Sequence, residues 1–176
     1  MATLAVNKVA TWRRLAALVY DLLLLTAVLI LVTALLLPFS GGEAILPDRF
    51  GAWAYAYQGA LLVVIWAYFW MPWSRRGQTL GMASWKLRLE RRAGGLPGLR
   101  ECSLRVGLGL ALGLPVLVAL YWERGPLWLR GLALAPAVVN YAWSWGDLQR
   151  RTLQDRMSGC RLVRVSSAPP APTPAR

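Results

Sequence analysis

Histidine is absent from this chain of 176 residues, which removes Ser-His-Asp and Cys-His catalysis, imidazole metal sites and a histidine pH switch together. Cysteine is scarce. Cys102 and Cys160 stand far apart and outside any CxxC spacing, so neither a disulfide framework nor a zinc knuckle is indicated, and both are expected to be reduced packing or surface thiols. Charged residues make up only 16% of the chain, while 57% of residues are hydrophobic. With a mean hydropathy of +0.43, the composition lies far above that of a soluble domain of this size, and a soluble globular enzyme is the first class excluded. Acidic residues number 8 against 20 Lys and Arg, a net charge of +12. Such an excess fits nucleic acid or topology, and its placement along the chain decides between them.

Long uncharged runs are what the chain has instead. A bilayer core about 30 Å thick needs about 20 mostly apolar residues in a helix, and four segments answer to that, at about 15–37, 53–71, 106–122 and 127–145. Pro38, Gly41 and Gly42 end the first, and Pro72 marks the exit of the second. The third carries Gly107, Gly109, Gly113 and Pro115, and the fourth Arg130, Pro136 and Asn140; membrane helices tolerate Gly and Pro. Lys8, Arg13 and Arg14 precede the first span, whereas Glu43, Asp48 and Arg49 follow it. Cations crowd the segment from Arg75 to Arg105, thin out at Glu123 and Arg124, and return from Arg150 onward. By the positive-inside rule both termini and the long middle loop are cytoplasmic. The basic charge is thus accounted for, and nucleic acid drops out as a partner. All tryptophans except Trp66 and Trp85 fall at or near expected span ends, where amphipathic rings prefer the headgroup zone.

The expected fold is therefore an all-α integral membrane protein of four transmembrane helices with a small cytoplasmic two-stranded element, multi-pass in a cell membrane. Residues 1–10 form a cytoplasmic arm, 11–165 the membrane domain, and the Ala, Pro and Ser rich stretch 166–176 a disordered tail. A cleaved signal peptide is disfavoured, because the first apolar run is too long, contains Asp21 and lacks an A-x-A site.

Asp21 is the costliest residue in the sequence. An acidic side chain within a span costs about 2.5–3.5 kcal/mol on insertion scales, against about 0.3–0.6 returned by each Leu, Ile, Phe or Val. The apolar run that follows carries it into the bilayer, but it must find a partner, a proton or a water-filled cleft. Arg14 lies seven positions earlier on the same helical face, about 10 Å away along the axis. Side chains lean toward the helix N-terminus, so direct pairing of the two is strained. Each is expected to meet groups from elsewhere, with the segment around Asp155 as the source.

GQTLG, from Gly77 to Gly81, lacks the GxGxxG and GxxxxGK patterns of phosphate loops. It is expected to be a tight turn in which Thr79 or Gln78 caps an interfacial segment. After it Trp85, Leu87 and Leu89 alternate with Lys86, Arg88 and Glu90, and a similar alternation recurs from Leu162 to Val165. That period of two predicts two short strands, whose pairing returns Asp155 toward the first span. Gly109 and Gly113 offer a small-residue packing face, within one subunit or between two. Gln58, Asn140 and Ser144 are expected in interhelical hydrogen bonds, and Glu90 and Glu101 as solvated partners of arginine.

The segments WRRLAALVYDLLLL, RGQTLGMASWKLRLE and DLQRRTLQDRMSGCRLVRV occur in this order and together resemble the RDD family of bacterial membrane proteins, over Thr11 to Val165. The resemblance identifies Arg14, Asp21 and Asp155 as the arginine and two aspartates for which the family is named. It adds Gly77, Gln78, Thr79, Gly81, Arg156 and Gly159 as supporting motif positions. Gln154 and Cys160 stand where the family usually has His and Thr, so no mechanism that needs that imidazole or hydroxyl is implied here.

Three functions are compatible with this sequence. A non-catalytic membrane module, binding a partner protein or lipid headgroups, would use the Arg-Asp-Asp set as a structural clamp and the basic loop to meet anionic lipid. A small ion or proton-coupled transporter would use Asp21 with Arg14 and Asp155. A membrane enzyme ranks last, since no nucleophile and base pair, metal set or cofactor motif is visible. The module is ranked first, with no cofactor and no metal, an anionic bilayer face as partner, and a homo-oligomeric or partner-protein contact as a further expectation.

Overall fold

The computed structural model describes residues 9–121, 126–147 and 151–165. The expected N-terminal arm up to residue 8 and the C-terminal tail lie outside them. Helix α1 spans Thr11–Leu36 and passes into a 3-10 turn at Leu37–Ser40, where Pro38 and then Gly41, with φ of +67°, stop it. A short helix α2, Pro47–Phe50, leads into α3, Ala52–Arg76. Next come α4, Leu80–Ser84, and strand β1, Leu87–Arg91. Helices α5, Leu99–Tyr121, and α6, Leu127–Gly146, are followed by α7, Leu153–Met157, and β2, Cys160–Arg164.

Among the described residues three helices are long and apolar enough to cross a membrane: Thr11–Ser40, Ala52–Arg76 and Leu99–Ala119. The fourth expected segment is a helix, α6, but Arg130 and Asn140 lie within it and it is not among those three. Helix boundaries also differ from the sequence expectation. Helix α3 continues through Pro72 to Arg76; an internal proline is tolerated in a membrane helix because neighbouring groups re-satisfy the backbone it frees. Helix α5 begins at Leu99 and takes in Arg100 and Arg105, which charge alone assigns to a loop.

The two strands pair antiparallel, Leu87 opposite Arg164 and Arg91 opposite Cys160, as their alternation requires. Trp85 is not in the strand; it caps the C-terminus of α4, and the chain enters β1 after Lys86. Leu87 and Leu89 are fully buried and join Val9, Ala17, Trp73, Met82, Cys102, Val106 and Cys160 in one core. That core lies where the strand pair meets the helix ends. Only 6% of the apolar window of α1, and 6% of that of α3, is buried within the protein, so the middles of these helices present their side chains outward, as a lipid-facing segment does. Both cysteines are free and buried, so they are packing residues rather than surface ones, and burial pushes the Cys160 thiol above its ordinary value. Gly109 packs within the chain, where a Cβ would lie 3.3 Å from Gln154 Nε2, while Gly113 faces open space.

Candidate functional site

Helix α1 buries a single polar-lined stripe, Arg14, Ala17, Asp21 and Leu25, at the three-to-four residue spacing of one helical face. Two different elements dock on it, one on each charged residue.

Arg14 receives α7. Thr152 caps that helix: its Oγ1 accepts from Asp155 N at 3.2 Å, and Asp155 Oδ2 accepts in return from Thr152 N at 3.2 Å, a capping box that aims the carboxylate back over the helix start. Arg14 Nη1 forms an ion pair with the same Oδ2. Arg105 of α5 brings Nη1 to 2.7 Å from Oδ1, close as an ion pair but off the line of a hydrogen bond. The Asp155 side chain is 0% exposed and those of Arg14 and Arg105 are 5% and 8%, so one carboxylate is clamped between two guanidinium groups away from water. Burial pushes the Asp155 carboxyl upward, yet the charges of Arg105 and Arg14, with the hydrogen bond from Arg14, outweigh it and hold the group below the ordinary carboxylate value. Arg105 is itself placed by Ser158 Oγ, which accepts from its Nη1 at 3.4 Å, and by the Trp73 ring, whose centroid lies 5.7 Å from its Cζ. Gln154 ties α7 to two further helices: its backbone N donates to Asn140 Oδ1 at 2.9 Å and its Nε2 donates to Arg105 O at 2.7 Å. Gln154 is therefore a bracket holding the clamp.

Asp21 receives the GQTLG turn. Thr79 Oγ1 donates to Oδ2 at 2.5 Å, Gly81 N donates to Oδ1 at 3.0 Å, and Tyr68 Oη donates to Oδ1 at 3.2 Å. Thr79 also caps α4, its Oγ1 accepting from Met82 N at 3.2 Å, so one hydroxyl both starts the helix and binds the aspartate. Gly81 has no room for a side chain, because a Cβ there would lie 2.4 Å from Ala17 O and 2.8 Å from Asp21 Cγ. Gly77 ends α3 with φ of +70°, and its carbonyl accepts from Leu89 N at 2.7 Å. Gln78 Nε2 donates to Leu87 O at 2.8 Å. Each polar or glycine position of the motif thus has a contact that its side chain, or lack of one, explains.

The expected single cluster of Arg14, Asp21 and Asp155 is accordingly two anchor points on one helix face. Asp155 meets Arg14, but the donors to Asp21 come from the GQTLG turn and Tyr68, not from the Asp155–Arg156 segment. The physical reason is the axial separation, since about seven residues of helix place the two groups about 10 Å apart. Arg156 is exposed and lines a cleft with Ala142, Trp143, Gly146 and Asp147; it does not enter the clamp. Gly159 turns the chain into β2 with φ of +69°, its carbonyl accepting from Arg92 N at 3.0 Å. Sequence reasoning missed Arg105, Tyr68, Thr152 and Ser158. Only Thr152 left a usable signal, the Thr-x-x-Asp spacing of a capping box. Among the described residues no group of three or more His, Cys, Asp or Glu is placed to hold a metal ion.

Apolar helices whose middles face outward, closed at one end by a two-stranded sheet and a buried Arg–Asp–Arg clamp, define a helical membrane protein. The chain belongs to the RDD family, whose model matches residues 9–159. No curated protein and no solved structure matches it.

Proposed function

We propose that this protein is a non-catalytic module of a bacterial inner membrane, crossing it four times with α6 as the fourth span, with both termini and the strand pair in the cytoplasm. The observation that carries the non-catalytic reading is the filling of both carboxylates: Asp155 is taken up by two arginines and a helix N-terminus, and Asp21 by Thr79, Gly81 and Tyr68. Groups whose acceptor positions are occupied by the protein's own donors hold elements together and leave little for a substrate. The charged set then fastens α4 and α7 to α1, and the basic end so organised meets anionic headgroups or a partner protein. For the topology, the support is the alternation of basic residues along the chain. Reporter fusions after Pro47 and Gly125 are expected to read external, and those after Gly94 and Ser167 internal; an internal signal at Pro47 would overturn the arrangement.

One observation favours a second reading, a small proton- or ion-coupled transporter. Asp21 is surrounded by neutral hydroxyl and amide donors, a setting in which a carboxylate can exchange a proton or cation. Purified protein in sealed vesicles under an imposed pH or sodium gradient is expected to dissipate it no faster than protein-free vesicles. A flux that Asp21→Asn abolishes would establish transport and sink the module reading.

A further inference from the structure

The chain turns from α4 into β1 at Lys86, which has φ of +54° and is the only non-glycine residue with positive φ among those described. The left-handed region crowds a Cβ, so glycine is the residue such a turn favours. The turn is nonetheless held firmly, Lys86 N donating to Ala83 O at 3.0 Å and Lys86 O accepting from Val165 N at 2.8 Å. A strained backbone carrying an exposed cation points to a use for that cation. Its neighbour Trp85 lies edge-on to Trp12 at 5.3 Å and to Tyr20 at 6.4 Å, which fastens the turn to the first turns of α1. Arg13 Cζ lies 5.0 Å from the Trp12 ring centroid, and exposed Arg164 is paired with Leu87, next in the chain to Lys86. Arg13, Lys86 and Arg164 form no ion pair with a described residue, whereas toward the opposite end of the strand pair Arg161 meets Glu90 at 3.5 Å and Arg91 meets Glu101 at 3.1 Å.

We propose that this corner, Arg13, Lys86 and Arg164 around the Trp12, Trp85 and Tyr20 rings, binds the phosphate-bearing headgroup of an anionic phospholipid. The proposal rests on the topology above, which puts the strand pair at the cytoplasmic interface. Aromatic rings settle at headgroup level, and unneutralised cations there attract anionic lipid. A lipid rather than a soluble phosphate is the occupant because exposed Leu15, Leu18 and Val19 follow directly on α1 and offer apolar surface to the acyl chains.

The test uses the full chain in nanodiscs of phosphatidylcholine, with and without phosphatidylglycerol, read as the Tm in each. Phosphatidylglycerol is expected to raise the Tm by several degrees. Lys86→Gly, which relieves the turn, is expected to raise the Tm in pure phosphatidylcholine by about 2–4 °C and to lose at least half of the phosphatidylglycerol increment; adding Arg164→Gln lowers it further, and adding Arg13→Gln as well removes the rest. Arg92→Gln with Arg100→Gln deletes the same charge near the other end of β1, about 20 Å from Lys86 for six residues of strand, and is expected to keep the increment. An increment kept by Lys86→Gly, or lost equally in the Arg92 and Arg100 variant, overturns the site. So does inorganic phosphate that reproduces the increment in pure phosphatidylcholine. An external strand pair in the fusion experiment overturns instead the topology on which the site depends, so the two failures are told apart.

Discussion

Asp155→Ala is expected to cost about 3–5 kcal/mol of stability, the range for removing one partner of a buried ion pair. The loss exceeds the value of the pair itself, because the change leaves Arg105, nearly enclosed, with an uncompensated charge, takes a buried partner from Arg14, and removes the capping carboxylate of α7 as well. Denaturation in detergent should show it, together with premature release of the strand pair. The pH dependence follows from the same geometry. Since the folded protein holds this carboxyl below its ordinary value of 3.8, its contribution is complete above that pH and is withdrawn as pH falls through the lowered folded value. From pH 7 down to about 5 this group should leave the wild-type Tm unchanged, and in Asp155→Ala the part of the acid-induced loss that belongs to the clamp should be missing. A variant as stable as the wild type would show that the clamp does not hold the strand-pair end.

Gly81→Ala carries the second large effect. The added Cβ would stand 2.4 Å from the Ala17 carbonyl oxygen, and the obstacle is backbone of α1, which cannot swing aside as a side chain would. Helix α4 must then lift, weakening the Gly81 and Thr79 hydrogen bonds to Asp21. Overpacking costs about 1–3 kcal/mol, and a hydrogen bond to a charged group is worth about 1.5–3 kcal/mol, so a total of roughly 3 kcal/mol or more is expected. Faster amide exchange in α4 and the start of β1 would accompany it. Gly107→Ala is the matched control, since nothing lies within 4 Å of its Cβ position; helix propensity makes it neutral or stabilising by up to about 1 kcal/mol. Equal effects from the two variants would refute the close-approach account.

Much of the site was legible at the level of single elements. The spacing of Arg14 and Asp21 put both on one face of α1, and the alternation after Trp85 announced the strand pair. The glycine-bracketed GQTLG announced a capped turn, with Thr79 among its two candidate caps. The partner of Asp21 was not legible, because nothing in a turn sequence says which aspartate its backbone amide will meet. Arg105 was hidden for another reason. A cation a few residues before an apolar run looks like loop charge, and only the start of α5 at Leu99 turns it inward, beside Trp73 and Ser158.

By itself the sequence determined the apolar helices, the strand pair, the family and the identity of the costly charges, since hydropathy, periodicity and motif order are properties of short stretches of chain. The tertiary structure decided who meets whom: Arg14 and Arg105 on Asp155, and the Thr79 to Gly81 turn on Asp21. Those pairings join residues 50 to 141 positions apart, and a buried charge accepts whichever donor the packing of helices brings within about 3 Å. That distance is set by the whole fold, and no local pattern encodes it.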